Sequence, residues 1–309
     1  MMNRRDLVKT LAVTTAGSFL PAKSHAEPSP QPNASFTYCL NMATIRGHNL
    51  GFAKELEVAS KAGFRAVEIW VDSLQKYLNG GATLKDATKL LNDLGIKVEN
   101  AIGFAEWIVD DDAKRSVGIE QMKREMDMLA QIGCKRTAAP PMGATDVLLP
   151  DLKKIAERYR AILEIGRSIG VVPQLEMWGF SKNLARVSDV MYVALESGQA
   201  SARVLLDIFH LYKGGSSIDT LPLVSTSAIE ILHVNDYAAN LPVSSITDAD
   251  RIYPGDGVAP VRRVLQILKN PDRPLIISCE LFNKNYYNQN ALSVAKTALS
   301  KMQAVTAGV

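Results

Sequence analysis

Eight times between Ser35 and Val309 a short run rich in apolar or β-branched residues gives way to a longer stretch of helical spacing. The runs are Phe36–Leu40, Ala66–Val71, Val98–Ile102, Arg136–Ala139, Val171–Met177, Val204–Ile208, Ile229–Val234 and Leu275–Leu281. Between them apolar residues recur at i, i+3 and i+4, as in the stripes Leu56/Ala59/Ala62 and Met122/Met126/Leu129. Gly63, Gly95, Gly133 and Gly170 each close a helical stretch just before a strand, where a C-terminal cap is expected. Such an alternation belongs to the α/β class. Eight units in about 275 residues match a (β/α)8 TIM barrel in count and length. The rival, an open doubly wound sheet, carries a glycine-rich turn after its first strand. Here Phe36–Leu40 leads into Asn41-Met42-Ala43-Thr44, and neither GxGxxG nor a Walker-type loop occurs. A single barrel domain over residues 35–309 is expected.

The segment before it has a different character. Residues 1–26 place Arg4, Arg5 and Lys9 ahead of a weakly apolar stretch, Leu11 to Leu20, and end in Ser24-His25-Ala26, a small-x-small cleavage pattern. Asn3-Arg4-Arg5-Asp6-Leu7-Val8-Lys9 resembles a twin-arginine signal, which is a receptor-read address and not an anchor. Pro-rich residues 27–34 then read as a flexible spacer. The expectation is a periplasmic or otherwise exported protein, exported already folded. Removing residues 1–26 also removes the excess positive charge, leaving 31 basic against 31 acidic residues. A nucleic-acid backbone binder needs a positive surplus, so no nucleic-acid partner is expected. No uncharged apolar run reaches the ~18 residues of a membrane span, so stable membrane insertion is not expected either. Cys39, Cys134 and Cys279 are odd in number and lack CxxC spacing, so they read as small buried apolar residues.

In a β/α barrel the chemistry sits where strands end. Four consecutive strands end in ionisable residues within apolar sequence: Glu176, Asp207, His233 and Glu280. Free charges converging on one apolar face would cost several kcal/mol each. A divalent cation resolves that repulsion. Three carboxylates and an imidazole make an oxygen-rich set suited to one Mn²⁺, Mg²⁺, Co²⁺ or Zn²⁺, and the set lacks the thiolates of a structural zinc site.

Several strings carry a family resemblance. They are Asn41 to Thr44, the Leu-Glu ending the fifth run, Asp207-x-Phe-His210, Asp250-Arg-x-x-Pro-Gly-x-Gly257, and Glu280-Leu-Phe followed by Tyr286-Tyr287. Together they resemble the xylose isomerase-like barrels of the sugar phosphate isomerase/epimerase group, with the inosose isomerase type nearest. The resemblance implies Glu176, Asp207, His233 and Glu280 as metal ligands, with His210 and Arg251 holding substrate oxygens. It implies a keto-sugar or keto-inositol isomerase or epimerase working on a small carbohydrate or cyclitol.

A proton moving between the carbons flanking a ketone passes through an enediolate, whose charge a metal stabilises. Glu176 and Glu280 are the expected acid/base pair. Trp107 and Trp178 are expected to stack on the substrate ring. Glu68 is read either as a supporting acceptor or as a barrel-interior residue, and His48 and Lys213 as loop contacts near the opening. Asp110-Asp111-Asp112 reads as a solvated helix start. Alternatives are a 3-keto-glycoside lyase or hydrolase using the same site, a non-catalytic carbohydrate-binding barrel and, more remotely, a DNA-directed endonuclease. The C-terminal helix either closes the barrel or pairs with another copy, so homo-oligomerisation is left open.

Overall fold

The computed structural model describes residues 33–149 and 151–309. The expected signal, residues 1–26, and all of the spacer except Asn33 and Ala34 lie outside the described residues. Eight parallel strands form the sheet: β1 (Phe36–Asn41), β2 (Ala66–Trp70), β3 (Lys97–Ile102), β4 (Arg136–Ala139), β5 (Val172–Glu176), β6 (Arg203–Asp207), β7 (Ile229–Val234) and β8 (Leu275–Cys279). Every expected run is a strand. Four ends come early, β2 at Trp70, β5 at Glu176, β6 at Asp207 and β8 at Cys279, and the last of these releases Glu280 into a loop.

The hydrogen-bonded order is β3-β2-β1-β8-β7-β6-β5-β4. First and last strands are therefore neighbours, with Phe36 to Leu40 paired against Leu275 to Cys279. The remaining edges, β3 and β4, meet through side chains. Thr137 Oγ1 donates to the Ala101 carbonyl at 3.3 Å, and Arg136 Nη1 to that of Glu99 at 3.3 Å. An all-parallel sheet needs helices on its outer face, and the amphipathic stripes supply them. The helix Phe52–Ala62 buries Leu56, Ala59 and Ala62, and ends at Gly63 with φ of 104°, a left-handed cap that other residues adopt at a cost. The helix Asp112–Gln131 buries Met122, Met126 and Leu129 and is capped by Asp111, which accepts from the Lys114 amide at 2.9 Å. That cap is the role expected of the acidic run. The C-terminal helix Ala291–Thr306 docks on its own barrel, where Thr306 Oγ1 lies 2.7 Å from Tyr38 Oη.

The two ends of the cylinder differ. Around the strand starts, Arg136 and Arg203 both pair with Glu230, and Arg136 also pairs with Glu99. The three cysteines are buried and unpaired, and burial pushes the Cys134 and Cys279 thiols up to about 12. No helix among the described residues is long and apolar enough to cross a membrane.

Candidate active site

At the other end, register decides which side chains meet. Asp207 pairs across β6–β7 with His233, and His233 across β7–β8 with Ser278. Glu280, two residues beyond Ser278, shares its face. On the far side of β8, Asn41 of β1 pairs with Glu68 of β2. This parity turns one row of polar side chains toward the barrel axis. Asp207, His233 and Glu280 each offer an atom within 4.8 Å of the others. His233 Nδ1 lies 3.1 Å from Glu280 Oε2, 3.6 Å from Asp207 Oδ2 and 4.0 Å from Glu176 Oε1. The four expected residues are thus gathered around one imidazole edge, with Glu176 slightly outside the tight trio.

The opposite edge of that imidazole faces Glu68, whose Oε2 is 2.9 Å from His233 Nε2. Glu68 is fully buried and also accepts from Asn41 Nδ2 (2.8 Å), Asn100 Nδ2 (2.6 Å) and Ser278 Oγ (2.7 Å). A carboxylate behind an imidazole orients the ring and raises its basicity. Asn41 reaches further, donating to Glu280 Oε1 at 3.0 Å.

Arg251 occupies the centre. Its Nη1 donates to Asp207 Oδ2 at 2.8 Å and Glu280 Oε2 at 2.7 Å, while Nη2 reaches Asp248 Oδ1 at 2.5 Å and His210 Nε2 at 3.1 Å. With the guanidinium only 1% exposed, this arginine positions two carboxylates as well as facing the cavity. The loop bearing it is tied by Asp236, which follows β7 and accepts from the amides of Gly255, Gly257 and Ala259 at 3.0, 3.0 and 2.8 Å. A Cβ on Gly257 would fall 2.2 Å from the Tyr237 carbonyl oxygen, so the Pro-Gly-x-Gly string is a steric requirement of this loop. Asp207 itself caps the short helix Ile208–Lys213 by accepting the His210 amide at 2.9 Å. That cap explains the Asp-x-x-His spacing.

Charge sorts these groups. Burial alone would raise the Asp207 carboxyl, yet Arg251 and His210 beside it hold it well below the usual range. Glu176 has no arginine against it. Burial, with the Glu280 charge adding, pushes it up to about 8 against the pull of His233. Burial and Arg251 lower His210 to about 4 despite Asp207. Because arginine only donates, His210 Nε2 must accept and Nδ1 must carry the proton. That Nδ1 is buried without a partner, as is Glu176 Oε2, and His233 Nδ1 faces only carboxylate oxygens. Unpartnered oxygen and nitrogen atoms around a carboxylate-rich centre fit a hard or borderline divalent cation, and a proton on His233 Nδ1 would compete with it.

Above these groups opens a cavity of about 170 Å³, floored by Glu176, His210, Arg251 and Glu280 and walled by Trp70, Ile102, Phe104, Trp178, Phe180 and Phe282. Trp178 stands where expected. Trp107 does not: it is fully buried in the core, and its Nε1 donates to the Pro140 carbonyl at 2.8 Å, so the chain turns inward after β3 and presents Phe104 instead. His48 and Lys213 bond backbone carbonyls of neighbouring loops, His48 to Gln289 and Lys213 to Val243 and Ile246. Tyr287 and Tyr286 brace the rim, the first through the Ala43 carbonyl at 2.8 Å and the second by stacking on Tyr253. Trp70, missed in the sequence, was legible by parity: it lies two residues beyond Glu68 on the same face of β2.

Comparison with known proteins agrees with this fold. Residues 56–304 match the model of the xylose isomerase-like TIM barrel family. An inosose isomerase of Halalkalibacterium halodurans is 30% identical over 266 residues, spanning 84% of this chain and 93% of the relative. Among solved structures, the IolI protein with a bound zinc atom superposes with a TM-score of 0.79 at 24% identity, over 87% of this chain and 98% of that one. An L-ribulose 3-epimerase shares the fold with a TM-score of 0.68 at 15% identity, over 87% and 94% of the two chains. By its strands, its strand-end chemistry and these matches, the chain belongs to the xylose isomerase-like TIM barrel family.

Proposed function

We propose that this protein moves a proton between the carbons flanking the ketone of a keto-sugar or keto-cyclitol, with a divalent cation held by Asp207, His233 and Glu280 beside Glu176. Its kinship with inosose isomerases makes it an enzyme of the isomerase or epimerase kind; the cation and the proton path are our reading. The carrying observation is the convergence of three carboxylates on one edge of His233 at the floor of the cavity, where His233 Nδ1 faces only carboxylate oxygens. When bound, such a cation supplies charge neutralisation at the ketone oxygen as a Lewis acid.

The chain's own groups do the rest. Glu176, buried beside that centre at the floor of the cavity, is placed to accept a proton from one carbon and return it. Glu280 is held in place by Arg251 and Asn41, on the other side of the same centre, and serves the second carbon. Neutral His210 offers its Nδ1–H to a substrate hydroxyl. The aromatic walls keep bulk water from the carbanionic species.

The test is wash-in of deuterium at the substrate α-carbon in deuterated water, followed by NMR, with Mn²⁺- or Zn²⁺-loaded protein and a panel of inososes and ketohexoses. Exchange should need the metal and fall by about 10² to 10⁴ in Glu176→Gln and in Glu280→Gln. A loaded protein exchanging none of the panel, or exchanging it undiminished in both variants, overturns the reading. Release of an aglycone from a 3-keto-glycoside without isomer formation would move the assignment to cleavage. We further propose, from the twin-arginine-like residues 1–26, that the enzyme works outside the cytoplasm.

A further inference from the structure

The cavity wall is more apolar than a free polyol requires. Phe282 lies 6.3 Å from Trp70 between ring centres, Trp70 5.1 Å from Phe104, Phe104 6.4 Å from Trp178, and Trp178 5.3 Å from Phe180. Phe180 meets the His210 ring at 5.5 Å, His210 bonds Arg251, and the Arg251 guanidinium lies over Phe282 at 5.2 Å. The chain of contacts closes on itself. Rings from the ends of β2, β3, β5, β6 and β8 form a continuous collar above the carboxylate floor.

A volume near 170 Å³ equals about six waters' worth of liquid, room for one six-membered ring on the floor, so a second ring extends past it along the outer edge of the collar, where Phe180 is 43% exposed. A hydroxyl on every carbon of the floor ring would turn some of them toward the collar. Along Phe104, Phe180 and Phe282 the phenyl rings offer no hydrogen bond, and the Trp70 Nε1 is already engaged with Asn41 Oδ1, so hydroxyls turned to that side lose their water without replacement. A substituent with a π-face has the opposite balance. The collar also has an apolar continuation. Asn183 binds the Ala144 and Val147 carbonyls and the Leu149 amide, pinning that loop to the one bearing Phe180, and the pair of loops leaves Val147, Leu148 and Phe180 63%, 71% and 43% exposed.

We propose that the substrate is a keto-sugar carrying an aryl substituent, its sugar ring on the carboxylate floor and its aryl group held by the collar on the Phe104–Phe180 side. This rests on the proton-transfer reading for the role of the floor, while the collar is tested separately.

Two measurements separate them. In the first, tryptophan fluorescence follows binding of phenyl β-glucoside and methyl β-glucoside, neither of which has an exchangeable α-proton. The phenyl compound should bind about tenfold more tightly or better, the worth of one or two ring contacts. Phe180→Leu and Phe104→Leu should each shrink that ratio toward one. In the second, deuterium wash-in compares 3-keto-glucose with its phenyl β-glycoside on the metal-loaded enzyme, and kcat/KM should favour the glycoside by a similar factor. Equal binding of the two glucosides, binding of neither, or a ratio unmoved by both substitutions overturns the collar assignment. Tighter phenyl binding with no proton exchange on either ketone leaves the collar standing and removes the proton-transfer reading. Exchange without any aryl preference does the reverse.

Discussion

Glu68→Gln is the most exacting test of how this centre is held. Glu68 sits at zero exposure with three donors on it, Asn41 and Ser278 at Oε2 and Asn100 at Oε1, and with His233 Nε2 2.9 Å from Oε2. A carboxylate accepts at both oxygens; an amide accepts at one and donates at the other. With its oxygen placed toward His233, glutamine sets its NH2 against the Asn100 amide, leaving buried donors unpaired at a cost of about 1–3 kcal/mol. For a chain of this size that is a fall in Tm of roughly 2–10 °C. The larger consequence concerns the cation. Loss of the carboxylate behind a ligating imidazole typically costs about 10- to 100-fold in metal affinity. Titration calorimetry of Mn²⁺ or Zn²⁺ into the metal-free wild type and variant reads this directly, with thermal unfolding of the same samples as the stability arm. Affinity within twofold of wild type, in a variant that has lost stability as stated, would show that Glu68 merely fills the barrel and that His233 is oriented by something else.

Three further outcomes follow from the structure and a fourth from the sequence. Gly257→Ala should lower kcat by about tenfold or more and destabilise the fold by about 1–3 kcal/mol, since its Cβ meets the Tyr237 carbonyl and Asp236 and overpacking of that size is costly; a denaturant melt and a wild-type turnover number would contradict this. Burial raises the Glu55 carboxyl above its ordinary value despite the hydrogen bond from Ser73, so folding favours its protonated form, and the stability it leaves intact at low pH is lost as pH rises through the raised value. Glu55→Gln should therefore melt higher than wild type at pH 7, with the gap closing below pH ~4; an equal gap at both pH values refutes the sign. The three thiols, buried and with Cys134 and Cys279 pushed up to about 12, should resist a disulfide reagent at pH 8 in native protein and react fully in denaturant. Replacing Arg4 and Arg5 by lysine should hold the protein in the cytoplasm on cell fractionation, and unchanged partitioning would remove the export proposal.

Much of the layout could be read along the chain because it is written in local periodicity. A strand ending in Glu176 or Asp207, a helix stripe at Leu56, Ala59 and Ala62, and a glycine cap at Gly63 each involve residues within a turn or two of one another. Their spacing is set by backbone geometry before any tertiary contact forms. Eight repeats of one such unit leave few closed solutions, and the barrel is one of them. The strand-end residues followed, since in that fold a polar side chain at a strand's C-terminal end faces the mouth.

What lay beyond the sequence depends on register and on turns whose path is set by distant partners. That Glu68 backs His233 follows from three strand pairings joining β2 to β7 through β1 and β8, a relation between residues 165 positions apart that no local pattern encodes. That Arg251 bridges Asp207 and Glu280 depends on Asp236 gathering the amides of Gly255, Gly257 and Ala259. Trp107 and Phe104, three residues apart in one loop, were separable only once the Pro140 carbonyl had drawn the indole into the core. Short-range geometry determined the type of fold and the identity of the charged groups at its rim. Their pairing, and which aromatic ring faces the substrate, was decided by packing between segments far apart in the chain, because hydrogen-bond satisfaction in a dry interior is a property of the assembled whole.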